Sequence, residues 1–117
     1  MDFQAVTDFI KHFADAENTF LYGCCYWFAR ILQDRFGNVH DDESYSEIFY
    51  EPVKGHFIFG IHENDNGWHY FDVRGDVTDI YNADGITLYS LTDLIYKEPH
   101  WYERLMRDCR NFISPSE

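Results

Sequence analysis

At 117 residues the chain is one domain's worth, and its 11 Phe, 9 Tyr and 3 Trp supply bulk for a single core, which argues against disorder. Acids outnumber bases 21 to 9, and the net charge of −12 opposes direct binding to nucleic acid or to an anionic membrane surface. The electrostatic complement is a basic protein partner; alternatively the charge only keeps a small protein monomeric.

Residues 2–16 carry Phe3, Val6, Ile10 and Phe13 at helical spacing opposite Gln4, Asp8, Lys11 and Asp15. That pattern predicts an amphipathic helix on a core. Residues 17–23 read as a loop that ends in a glycine. A more apolar helix follows, with Cys25, Phe28, Ala29, Leu32 and Phe36 on one stripe, stopped by Gly37 and Asn38.

From Tyr45 the pattern changes to strands, expected at 46–53, 55–62 and 68–74. Turn residues at 63–67 (ENDNG) make the last two a hairpin. A fourth short strand is expected within 77–81 or 86–89. Ser90 is a candidate N-cap for a helix over 91–96, and Pro99 opens a closing helix through about Phe112. Its stripe of Trp101, Leu105, Cys109 and Phe112 reads as core packing. The order gives an α+β domain spanning 1–117, with N-terminal helices packed on a small antiparallel sheet and a C-terminal helix.

Three cysteines are present, two of them the neighbours Cys24 and Cys25, which adjacent geometry keeps from bridging each other. No basic-then-apolar leader follows Met1, so a reduced, cytoplasmic protein is expected. No apolar run reaches the ~20 residues that span a bilayer.

A cysteine nucleophile needs a helix N-terminus to favour its thiolate, a histidine to take its proton, and a polar group to orient that histidine. The sequence offers these parts in order: Cys24 and Cys25 opening a buried helix, His56 on a strand, Asp72 on the next strand. Side chains alternate faces along a strand, so residues 56 and 72 share a face only if the intervening loop holds an odd number of residues. Pairing them directly centres the turn on Asn64. A two-residue Asn66-Gly67 turn would separate them, and the sequence alone does not choose.

The motifs GCCYWFA at 23–29, GHF at 55–57 and YFDVRG at 70–75 together resemble the core of papain-like and transglutaminase-like cysteine enzymes, notably small phage and prophage proteins. The resemblance covers about half the chain, from Asn18 to Gly75. It implies a Cys25–His56–Asp72 site, with Cys24 as a packing neighbour. It also implies an amide side chain ahead of the nucleophile to bind the oxyanion; Asn18 is the amide so placed, and its other role would be to end a helix. The implied activity is a cysteine hydrolase or acyl transferase acting on an amide or isopeptide bond of a protein or peptide substrate, with neither cofactor nor metal ion. The alternative is an inhibitory binding protein on the same scaffold, aimed at a basic partner. For that partner, Asp41-Asp42-Glu43 with Glu47 and Glu51 would form a negative edge.

Two metal readings are weaker. His56, His62 and His69 with Asp72 lack the tight ligand pairs of zinc sites. The loop holding Asp76, Asp79 and Asp84 lacks the spacing and closing Glu of a calcium loop, and reads as solvated.

Overall fold

A computed structural model describes residues 3–12, 25–37, 44–63 and 67–113, with the backbone alone at residues 44 and 108–113. Gly23, Cys24, Asn18 and the acidic run 41–43 lie outside the described residues, as do the side chains of Cys109 and Phe112.

The strand-forming stretches build a five-stranded antiparallel sheet in the order β4-β3-β2-β1-β5. Its strands are β1 (Ser44–Glu51), β2 (His56–Glu63), β3 (Gly67–Asp72), β4 (Gly75–Asp76) and β5 (Tyr89–Ser90). Around it lie α1 (Phe3–Ile10), α2 (Cys25–Phe36), α3 (Thr78–Tyr81), α4 (Leu91–Lys97) and α5 (Pro99–Ile113). The class is α+β, as the order of apolar patterns implies. No helix among the described residues is long and apolar enough to cross a membrane.

β2 is the central strand, and both of its faces are covered. Ile48, Phe59 and Phe71 are level across β1, β2 and β3 and face the layer formed by α1 and α2. There Val6, Ile10, Phe28, Ala29 and Leu32 close the larger core. On the reverse face Phe49, Ile58 and Tyr70 pack with Val77 and Tyr81 of the α3 segment. Coverage of both faces explains why residues 57–61 (FIFGI) read as an unbroken apolar run rather than an alternation. Gly60 is required by a close approach: a Cβ there would stand 2.7 Å from Phe49 Cε2 and 3.1 Å from Trp68 Cε3.

Several boundaries depart from the sequence reading. β1 ends at Glu51 because Pro52 has no N–H to continue the ladder. Segment 77–81 is the one-turn helix α3, not a strand; the Thr78 N–H donates to Asp76 Oδ1 at 2.9 Å and turns the chain there. Unforeseen β4 precedes it, and β5 falls at the end of the 86–89 stretch. Ser90 does cap α4, its Oγ accepting from the Asp93 N–H at 3.3 Å. α1 runs Phe3–Ile10, and residues 13–16 of the expected helix lie outside the described residues.

Candidate active site

Three elements converge where β2 begins. α2 starts at Cys25, whose residue is 9% exposed, and no acidic side chain in its first turn offsets the positive end of the helix. The turn after β1 closes through Gly55, at φ +66°, a left-handed value that suits glycine. Gly55 presents its carbonyl oxygen 4.0 Å from Cys25 Sγ, and His56 follows as the first residue of β2. The thiol thus meets the start of β2.

The β2–β3 ladder pairs Glu63 with Gly67 and Phe59 with Phe71. That register centres one residue later than a direct His56–Asp72 pairing would. Parity is preserved, so both side chains project from the reverse face, offset by two residues along the strands. They meet on the diagonal: His56 Nε2 stands 2.9 Å from Asp72 Oδ2, with the two side chains only 7% and 4% exposed. α2 packs on the opposite face, so Cys25 approaches His56 around the end of the sheet.

Asp72 accepts more than this one bond. The Arg74 backbone N–H donates to Oδ1 at 2.8 Å, and the guanidinium donates through Nη2 to Oδ2 at 2.6 Å and through Nε to both oxygens. Burial by itself would raise the carboxyl pKa. Hydrogen bonds from His56 and Arg74 outweigh it and hold Asp72 below the ordinary 3.8, as a carboxylate. Nε2 of His56 must therefore carry a hydrogen and donate it, and Nδ1 is the ring nitrogen left for the thiol.

For His56, burial opposes the charged form, but the Asp72 hydrogen bond and then the hydrogen bond and charge of Cys25 prevail. They raise its pKa from 6.5 to about 9. The imidazolium is the favoured form at neutral pH. Tyr81 stacks over the ring at 6.3 Å with 19° between planes, and burial pushes its hydroxyl pKa up, keeping the phenol neutral.

A pocket of about 260 Å³ opens beside His56, lined by Glu51, Lys54, Arg74, Ile80, Tyr81 and Ile86. Glu51, 4% exposed, does not stand on a negative edge. Its oxygens accept the backbone N–H groups of Val53 at 2.7 Å and Lys54 at 2.9 Å, because the turn leaves those donors without strand partners. Glu47 is likewise engaged, accepting from the Ser90 hydroxyl at 2.8 Å.

The residues that reading the sequence overlooked are Arg74, Tyr81 and Glu51. Arg74 had a signal: an opposite charge two residues from Asp72, within the strand expected at 68–74, although the structure puts it in the turn after β3. The histidines of the alternative metal reading do not gather. His62 stacks on Tyr45 at 4.9 Å, and His69 lies on the other face of the sheet, stacked on Phe3 at 4.1 Å. No group of three His, Cys, Asp or Glu side chains among the described residues could hold a metal ion. No family model matches the chain, and neither a curated protein nor a solved structure matches it.

Proposed function

We propose that this protein is a papain-like cysteine hydrolase or acyl transferase that acts on an amide or isopeptide bond through Cys25, His56 and Asp72. The observation that carries the reading is one buried imidazole with a carboxylate 2.9 Å from Nε2 and the Cys25 thiol beside the same start of β2, adding to the rise in the ring's pKa. Ordinary structural histidines do not need both partners.

The chemistry follows from those positions. In the reactive state the Cys25 proton is held on the His56 imidazolium, and the thiolate attacks the carbonyl carbon, forming a C–S bond as the carbonyl π pair moves to oxygen. The oxygen of the tetrahedral intermediate has the Cys25 backbone N–H at the start of α2 as a donor. As the intermediate collapses, the C–N bond breaks and the imidazolium returns its proton to the leaving nitrogen. Water then releases the acyl group in a hydrolase, or a second amine takes it in a transferase. Asp72 keeps the productive tautomer throughout and stabilises the cationic ring. Arg74 in turn keeps Asp72 ionised.

The test is alkylation by iodoacetamide in a chain carrying Cys24→Ser and Cys109→Ser. Cys25 is expected to react at pH 7 at least about tenfold faster than a free thiol of pKa about 8.5. Reaction no faster than that defeats the proposal, and an acidic binding protein aimed at a basic partner becomes the better account.

A further inference from the structure

We infer that the pocket beside His56 is the subsite for the leaving amine, and that it selects an amine bearing a free carboxylate next to an apolar side chain. A C-terminal amino acid of a peptide has this chemistry. The inference rests on the cysteine reading for its chemistry, and on the pocket alone for its binding.

The side of the bond comes from which residues reach the pocket. His56 lines it and Cys25 does not. The imidazolium is the group that returns a proton to the departing nitrogen, so the substrate beyond that nitrogen lies on the histidine's side, away from the sulfur.

The charge preference comes from which ionic groups remain uncommitted. Two lining or adjoining acids, Glu51 and Asp72, are each 4% exposed and fully hydrogen-bonded to Val53, Lys54, His56 and Arg74. The two bases are the exposed members. Lys54 is exposed and has no side-chain partner among the described residues. Arg74 spends Nε and Nη2 on Asp72 and Tyr81, and its Nη1 has none. In a chain with only nine bases against 21 acids, two cationic donors at one pocket mouth are a local reversal of the overall field. A guanidinium edge and a lysine lining one small pocket suit a compact anion, and on a leaving amine that anion is a carboxylate.

The apolar preference comes from Ile80 and Ile86, which are 48% and 39% exposed at the rim, with the Tyr81 ring behind them. At about 260 Å³ the pocket falls just under the roughly 300–1,000 Å³ of sites that take a whole drug-sized ligand. One residue's worth of substrate fits that scale.

The experiment is a titration of N-acetyl-leucine and of N-acetyl-leucinamide into the Cys25→Ser chain at low salt, followed by NMR through the amide signals of Lys54, Arg74 and Tyr81. The acid is expected to bind about tenfold tighter than the amide, with that preference weakened by added salt. Lys54→Gln should cut the preference to about threefold or less, and Lys54→Glu should abolish it, while binding of the amide stays unchanged. Equal binding of acid and amide overturns the inference, as does an equal loss of both in the Lys54 variants. Failure of the cysteine reading shows instead in the alkylation assay, since the Cys25→Ser chain contains no thiol to react at that position.

Discussion

His56 and His62 lie on the same strand and the same face, six residues and about 20 Å apart. At the first end the ring is enclosed by Asp72, Cys25 and Tyr81, and its pKa is raised. At the other end His62 sits between Tyr45 and Trp68, with Nδ1 buried and without a hydrogen-bond partner among the described residues. One amino acid thus serves as a candidate base at one end and as aromatic packing at the other. The difference comes from the neighbouring strand: at its near end β3 offers a carboxylate held by Arg74, and at its far end only an indole.

The largest expected effect separates the two ends by rate. His56→Ala should slow alkylation of Cys25 by roughly 10²-fold or more, the range that a positioned proton acceptor contributes. Asp72→Asn should slow it less, by about tenfold, because the thiol keeps its base but the ring loses its fixed tautomer. His62→Ala should leave the rate within about twofold, because its ring lies about 20 Å along β2 from His56. Equal rates for the His56 and His62 variants would erase the distinction.

A second contrast lies in stability against pH. The folded-state pKa of His56, about 9, exceeds the 6.5 of an unfolded chain. Its contribution is therefore fully present below pH 6.5 and is lost as pH rises through about 9, by at most about 3 kcal/mol. Asp72 acts oppositely, its folded pKa lying below 3.8, so its contribution is lost only in acid, as pH falls through that lowered value. Denaturant midpoints taken from pH 6 to 9.5 should fall in the parent and flatten in His56→Phe. The slope should persist in His62→Phe.

Between the two ends, Gly60→Ala should cost about 1–3 kcal/mol, since a Cβ meets Phe49 and Trp68 below van der Waals distance. Its alkylation rate should match the parent's. A rate change without a stability change would mean that the packed middle of β2 tunes the site. The smallest effect is His62→Phe, which removes an unpartnered buried nitrogen and keeps the aromatic contacts. A gain of up to about 1 kcal/mol by thermal unfolding is expected, and a loss larger than that would reveal a partner for His62.

Much of this architecture was legible in the residues. The 3.6-residue period marked α1 and α2, Ser90 and Pro99 marked the starts of α4 and α5, and even parity left room for His56 and Asp72 on one face. Parity was open because the turn residues at 63–67 support more than one loop length, and only the Glu63–Gly67 pairing fixes it. Segment 77–81 misled because Val77, Ile80 and Tyr81 have strand propensity, yet the bond from the Thr78 N–H to Asp76 overrides it locally. Glu51 misled because a charged residue ahead of a turn reads as solvated, whereas the Pro52–Gly55 turn needs its carboxylate inside. Arg74 lay in plain view two residues from Asp72, but nothing in the sequence states that its guanidinium folds back.

β2 is covered on both faces, paired with β1 along its whole length and with β3 over Phe59–Glu63, so the amides of that doubly paired stretch should be among the last to exchange with solvent. His56 opens β2 opposite Glu51 of β1, just outside the stretch that β3 also pairs. Arg74, Tyr81 and Ile80 belong to the two-residue β4, the four-residue α3 and the turn before them, which open at far lower free energy. The His56–Asp72 contact thus sits between the packed ladder and the short elements of the pocket wall, and amide exchange should rank Phe59–Ile61 as slowest, His56 next, and Arg74 and Ile80 as fastest.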